Sequence, residues 1–285
     1  MKNNRKAVRF IIWLCITVAL LVGSLVLGSP GGKQETIQET MRDAVLHGDN
    51  KISFFGMKDV NPALISAVTL TVVLLAAAAL IRIFVIPKFK NVPGKFQLLL
   101  EQAVGMFDGL AKSNSPHKNG FLGAYLFGAG SYIFIGTLFE LFGFQGVTTR
   151  GMSIALPAPL SDINAAIALG CLSYLVILSG GISVNGVRGV GRTLKDFSLP
   201  ISMSFRLFGA LLSGLLVTEL VYYYINLSFV LPVIVGVLFT LLHALIQTYV
   251  LTMLTALFYG EVSEPYQKKP KKAKKAKKHH KQAIA

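Results

Sequence analysis

The chain has 285 residues, of which 53% are hydrophobic and only 14% charged, whereas an average soluble domain carries about 25% charged residues. Long stretches without charge indicate a chain solvated by lipid and exclude a purely soluble fold. The net charge of +15 would suit nucleic-acid binding, but nine lysines within residues 268–281 leave only +6 for the rest. We expect this lysine run to be a disordered tail attracted to anionic membrane lipid, with nucleic-acid or partner binding as the alternative.

Six apolar stretches are long enough to span a bilayer, which takes about 20 residues. They cover residues 8–28, 63–86, 121–143, 163–183, 198–227 and 230–260, and the last two are long enough to tilt. Residues 95–112 instead place Leu99, Ala103, Met106 and Leu110 on one face, which predicts an interfacial amphipathic helix. The predicted fold is an all-α membrane protein of five to six transmembrane helices with a long, tilted C-terminal helix pair.

The distribution of lysine and arginine predicts how the chain is oriented. Basic residues cluster at the start, in residues 82–95 and 188–195, and in the tail, which places these parts in the cytoplasm. The predicted regions are a signal-like or extra transmembrane segment (1–28), an extracytoplasmic segment (29–62), a membrane channel domain (63–261) and a lysine-rich disordered cytoplasmic tail (262–285). The basic, apolar start followed by LGSPGG also resembles a signal peptide, so cleavage and retention of residues 1–28 both stay open.

Arg206 is the most informative charge within a predicted span. A charge at the bilayer centre costs about 2.5–3.5 kcal/mol on insertion scales, and a guanidinium cannot escape that cost by losing its proton. Arg206 lies in PISMSFRLFGALLSGLLV with no acidic residue in the neighbouring turns. It stands eight residues, ~12 Å, into the stretch, so snorkelling to the interface is the structural alternative to a functional role.

Three motifs resemble those of subunit a of the F-type ATP synthase. SLPISMSFRLFGALLSG resembles the signature around the family's essential arginine, and HALIQTYVLTMLTALFYGE (243–261) is similar to its last helix. PLSDIN (159–164) matches the motif that opens the family's fourth membrane segment. The likeness runs in order from about residue 53 to 261 and implies the ion-translocating stator subunit, a multi-pass protein of the bacterial plasma (inner) membrane with a cytoplasmic C-terminus.

The resemblance also implies partners and a mechanism. In the family, a ring of small hairpin subunits (subunit c) rotates past subunit a, and each hairpin carries a carboxylate that binds the ion. Two offset half-channels connect that carboxylate to opposite sides of the membrane. Arg206 matches the arginine that prevents a short-circuit between them, and Gln247 matches its glutamine neighbour, for which an ordinary interhelical contact is the alternative. Peripheral stalk subunit b and the remaining ATP synthase complex are further implied partners.

The implied half-channel groups depart from the family pattern on both C-terminal helices. Ala210 replaces the usual asparagine, and Leu215 replaces the acid nine residues past the arginine, but Glu219 follows four residues later. On the last helix Thr240 stands where the family has Glu or His, and His243 follows on almost the same face. We therefore expect a polar path rebuilt from Glu219 and His243.

Three further acids are candidates for ion translocation. Asp162 and Glu140 fall near the outer ends of their predicted spans, where an access channel would open, although either can be a solvated interfacial residue. Asp196 matches a glutamate of chloroplast-like members, whereas many bacterial members carry theirs at the position of Arg192. Asp196 is the candidate for the cytoplasmic half-channel, with a solvated loop acid as the alternative.

No sequence pattern indicates catalysis by the chain itself. Nothing resembles a phosphate loop, a metal-ligand cluster or a nucleophile with its base, so no catalytic residue, cofactor or metal site is predicted. An autonomous ion-coupled transporter is the alternative function, but it would favour an internal repeat, and none is seen. A non-conducting scaffold would leave Arg206 and Gln247 unexplained. The sequence leaves open whether the ion is H⁺ or Na⁺, because the ion-binding carboxylate belongs to the ring.

Overall fold

The structure is a computed structural model that describes residues 52–54, 57–147, 153–223 and 231–265, and positions 10–16, 18, 19, 22, 36, 38, 39 and 42 nearer the start. Residues 10–16 are helical and exposed. Most of the predicted first span (8–28) and of the segment 29–51 lies outside the described residues, as does the tail from residue 266.

Seven α-helices and four short strands make up the part described from residue 52 onward. The helices are α1 (Pro62–Leu80), α2 (Lys95–Asn114), α3 (Leu122–Phe142), α4 (Ile163–Asn185), α5 (Val187–Lys195), α6 (Ser198–Tyr223) and α7 (Leu231–Ser263). The strands are β1 (Ile52–Phe54), β2 (Met57–Val60), β3 (Gln145–Val147) and β4 (Ser153–Ala155), paired as two antiparallel hairpins. A π-helical turn (Ile81–Val85) and a 3₁₀ turn (Ile86–Lys88) continue α1.

Five of the described helical segments are long and apolar enough to cross a membrane. They are Pro62–Lys88, Leu122–Phe142, Ile163–Asn185, Ser198–Thr218 and Val233–Ser263. This confirms the all-α membrane fold and the five spans predicted after the first one. We call the side of the membrane on which α7 ends the tail side, and the side on which α4 begins the far side.

Both hairpins lie on the far side, where they pack against each other. The first hairpin precedes α1 and the second connects α3 to α4. Gly146 of β3 lies so close to Ile52 of β1 that a Cβ there would be 2.9 Å from the isoleucine Cδ1. Ile52, Val60 and Leu156 are buried together in this far-side cluster.

The main core lies where α3, α4, α6 and α7 meet. Its fully buried members include Leu122, Leu126, Ile133, Ile177 and Leu207. By contrast, only 11% of the most apolar stretch of α1 is buried within the chain. The rest of α1 is therefore available to lipid or to a neighbouring protein, as expected for a membrane helix at the edge of a bundle.

The interfacial helix predicted over residues 95–112 is present as α2, which is not among the helices apolar enough to span. Phe107 and Ala111 are its buried residues, and the Phe107 ring packs directly on Gly130 of α3. Leu99 and Met106, on the predicted apolar face, are 62% and 63% exposed. Ala103 and Leu110, on the same face, are half-buried, and Leu110 packs against the main core. Only the part of the face with Leu99 and Met106 thus points away from the bundle, where lipid can cover it.

Candidate functional site

The packing of α6 on α4 decides where Arg206 points. Met203, Ser204 and Leu207 are buried. Gly170 of α4 lies so close to α6 that a Cβ there would overlap the Ser204 hydroxyl and come within 3.0 Å of the Pro200 carbonyl oxygen. Because successive helical residues are about 100° apart, Arg206 lies about 200° around the helix from Ser204. Arg206 therefore faces away from the bundle.

The surface of α6 around Arg206 is exposed and consists of small, apolar and hydroxyl-bearing residues. Ser202, Gly209 and Ser213 lie on the same side of α6 and are exposed with it, and the exposed Phe205 lies beside them. In the part of the chain that the structure describes, the guanidinium has no hydrogen bond and no ion pair. Arg206 stands eight residues, ~12 Å, from the start of α6, within a span about 30 Å long. The arrangement is a permanent positive charge at membrane depth that no described side chain neutralises.

His243 and Gln247 lie on α7 beside α6. A Cβ added to Gly214 of α6 would be 3.4 Å from His243 Nδ1, so these two residues are level with each other. Because the two helices run in opposite directions, Gln247, four residues after His243, is level with Ala210 of α6. Ala210 lies four residues, or about one turn (~6 Å along the helix axis), from Arg206. Gln247 is only 6% exposed, yet its amide bonds neither to Arg206 nor to any other described residue.

Thr248 is a polar residue of this region that sequence reasoning missed. Its hydroxyl is buried without a hydrogen-bond partner among the described residues. Thr252 and Thr255 instead donate to carbonyls of their own helix, at 2.7 Å (Thr248 O) and 2.8 Å (Leu251 O). Threonine in a membrane helix usually bonds in this way, so no sequence pattern indicates that Thr248 differs.

Asp162 caps α4 and joins it to α1 on the far side. One carboxylate oxygen accepts a 2.7 Å hydrogen bond from the Asn164 backbone N–H, as an N-cap residue does. The other accepts from the side-chain amide of Asn61. Asn61 itself caps α1 by accepting from the Ala63 N–H at 3.0 Å. Asp162 thus has a structural function in addition to the channel role predicted for it.

The remaining predicted acids are spread over both ends of the bundle. Glu140 is half-buried near the far-side end of α3. Glu219 lies in α6, but its side chain is outside the described residues. Asp196 is half-buried where α5 ends on the tail side, close enough to the Tyr174 hydroxyl for an electrostatic interaction. The structure therefore places Arg206, Gln247 and His243 at neighbouring levels of α6 and α7, and it leaves Asp162 and Asp196 at opposite sides of the membrane.

A groove of about 540 Å³ runs between α1, α3 and α4. Its walls are mostly apolar, with the hydroxyl-bearing residues Thr71, Tyr125 and Tyr132 among them. The Tyr125 hydroxyl is 2.8 Å from Ser173 Oγ of α4. Leu160, two residues before Asp162, also lines the groove. One end of the groove therefore lies near the far-side helix caps.

The family described as the ATP synthase A chain matches residues 65–260. The matched region begins within α1 and ends three residues before the end of α7, so it includes all five spans almost entirely. Arg206, Gln247 and the other predicted ion-translocation residues all fall inside it. Among the described residues, no three His, Cys, Asp or Glu side chains come together as metal ligands would.

Proposed function

Because this chain belongs to the ATP synthase A chain family and is a membrane subunit of that complex, we propose that it is the stator that carries H⁺ or Na⁺ to and from a rotating ring. In this proposal two half-channels meet the ring of small hairpin subunits (subunit c) beside Arg206. The single observation that carries the proposal is the exposed guanidinium at membrane depth on the outer face of α6, which has no partner among the described residues.

The position of Arg206 suits a charge that acts on a moving partner. A fixed positive charge favours the ionised form of a carboxylate that passes it and so promotes release of the bound ion. The same charge repels a cation that would pass directly from one half-channel to the other. An ion must then travel with the ring, and each charge that crosses the membrane contributes about 2.3 kcal/mol per 100 mV.

Unpaired polar groups on α7 support a hydrated path beside the arginine. The Gln247 amide and the Thr248 hydroxyl have no protein partner in the described region. A polar group left without a hydrogen bond in hydrocarbon costs several kcal/mol, so water or passing ions would stabilise both. His243 extends the polar stretch by one turn, and Glu219 stands about 20 Å beyond Arg206 toward the far side.

The two ends of the bundle supply candidates for the openings of the half-channels. On the far side, the groove between α1, α3 and α4 begins near Asp162, and Glu140 lies at the same end of the bundle. On the tail side, Asp196 lies just before α6 and about 15 Å from the level of Arg206. Carboxylates at these positions would collect cations from the aqueous phase before they reach the ring.

The proposal also includes partners and an orientation. The exposed apolar surface of α1 is available to peripheral stalk subunit b, and the lysine-rich tail to anionic lipid. The tail side corresponds to the cytoplasm of a bacterial cell, as the clusters of lysine and arginine predict.

Site-directed cross-linking tests whether the Arg206 face meets a ring. Phe205→Cys and Leu75→Cys would be compared in the assembled complex, since Phe205 is 62% exposed beside Arg206 and Leu75 is 66% exposed on α1. We expect a bifunctional thiol reagent to join residue 205, but not residue 75, to a small hairpin subunit. An autonomous transporter predicts no such product, and equal labelling from both positions would contradict the assigned rotor face.

A further inference from the structure

The tail-side end of α7 is held by the turn between α4 and α5. The Asn185 side-chain amide donates to the Val262 carbonyl at 3.0 Å and to the Glu264 carbonyl at 2.9 Å. Arg192 Nη1 donates to the same Glu264 carbonyl at 3.1 Å. The last four carbonyls of a helix lack partners within it, and a cation near them is favoured by the helix dipole. Asn185 and Arg192 therefore act as a C-terminal cap supplied by other helices.

The loop between α2 and α3 fixes the same end of α7 from another side. The hydroxyls of Ser115 and Ser263 are 3.1 Å apart, and both residues are fully buried. Gly260 packs directly on the Asn114 carbonyl, with no room for a Cβ. We call the contacts that Asn185, Arg192 and Ser115 make with α7 the tail-side clamp.

The clamp constrains the rotation of α7 about its own axis and the position of α7 along that axis. A slip of α7 by one residue would turn each of its side chains by about 100° and move it by about 1.5 Å. Gln247 is buried, whereas its neighbour Ile246 is 44% exposed, so such a slip would replace the amide beside α6 with an apolar side chain. The clamp contacts involve α7 backbone groups and small residues, which fix position without depending on a particular large side chain.

We propose that Asn185 and Arg192 are positioning residues, which hold the tail-side end of α7 and thereby keep Gln247 and His243 in place beside Arg206. The proposal rests on the proposed function of Arg206. It also gives a role to the cation at residue 192, where many bacterial members of the family carry an acid instead.

The test uses Asn185→Asp in the assembled complex. This near-isosteric change replaces two N–H donors with a carboxylate that faces two carbonyl oxygens. Asn119→Asp is the matched control, because the Asn119 side chain makes no hydrogen bond among the described residues. We expect the number of ions pumped per ATP hydrolysed to fall at least fivefold in Asn185→Asp and to stay within twofold in Asn119→Asp.

A second measurement reports the position of α7 without any ion transport. After Cys15 and Cys171 are replaced by serine, Ser115→Cys and Ser263→Cys place two thiols where the hydroxyls are in contact. We expect rapid oxidation to a disulfide with Asn185 present and at least tenfold slower oxidation with Asn185→Asp. Once formed, the disulfide should restore pumping in the Asn185→Asp variant, and its reduction should remove that rescue.

Three results would overturn the proposal. If the thiols do not oxidise even with Asn185 present, the contact on which the clamp rests is wrong. Unchanged oxidation in Asn185→Asp would show that Asn185 does not hold α7. Slower oxidation with normal pumping would show that the clamp holds the helix end but does not position the site. Failure of the Arg206 assignment would leave the oxidation rates interpretable, so the two failures are distinguishable.

Discussion

Gly180→Ala probes a close contact between α4 and the tail-side half of α7. A Cβ at residue 180 would lie 2.5, 2.7 and 2.8 Å from three ring atoms of Tyr259, where 3.4 Å begins ordinary contact. The shortfall is 0.6–0.9 Å, and Tyr259 is only 4% exposed, so its ring has little room to move. Either α7 shifts away from α4 or the tyrosine leaves its preferred rotamer.

Overpacking of this kind costs about 1–3 kcal/mol. Alanine also raises helix propensity over glycine by up to ~1 kcal/mol, which offsets part of the cost. Gly236→Ala, on α7 with nothing within 4 Å of the new Cβ, measures that propensity gain alone. The difference between the two variants therefore isolates the overpacking.

The assay is the half-life of ion pumping when the purified, reconstituted complex is held at elevated temperature. We expect Gly180→Ala to inactivate about 5- to 150-fold faster than Gly236→Ala, because each 1.4 kcal/mol changes a rate about tenfold. Adding Tyr259→Leu, which removes the ring, should recover most of the loss. Equal half-lives for the two alanine variants, or no recovery with Tyr259→Leu, would refute the packing of α4 on α7 described above.

Two further predictions concern the far side and the tail. Asn61→Ala should lower stability by about 1 kcal/mol through loss of the α1 cap, and should also release Asp162 from its partner. Proteolysis before α1 would then be faster than in Asn61→Ser, which keeps a capping oxygen, and equal rates would argue against the cap. Ending the chain after Tyr266 should leave ion transport within about twofold of the full chain, since all five spans remain. A large loss of coupling in a fully assembled truncated complex would contradict that assignment of the tail.

The apolar pattern was sufficient to predict the membrane helices. The span predicted at residues 163–183 is found as Ile163–Asn185, and the stretch predicted at 230–260 as Leu231–Ser263. Apolar runs of about 20 residues specify spans because the backbone must satisfy its hydrogen bonds within the membrane. The last helix continues to Ser263 because the tail-side clamp supplies partners for its final carbonyls, a tertiary effect that periodicity does not contain.

Other features depended on contacts that the sequence does not specify. Asp162 was predicted from its depth as a channel acid, although an aspartate just before an apolar run is also an N-cap signal. Its pairing with Asn61 required knowledge of which helices adjoin on the far side. The two hairpins escaped prediction because strands of three or four residues are too short to show alternation. The direction of the Arg206 side chain followed only from the close approach of Gly170 to Ser204.

ATP synthesis by Arg206→Ala complexes is the most direct test of the account. Assembled complexes in liposomes would be given an imposed ion gradient, and Arg82→Ala, at an exposed arginine on the tail-side end of the α1 span, would serve as the control. The account predicts that Arg206→Ala assembles normally but makes ATP only at background rate, while Arg82→Ala stays near normal. Near-normal synthesis by Arg206→Ala would contradict the claim that a guanidinium facing the ring couples ion flow to rotation.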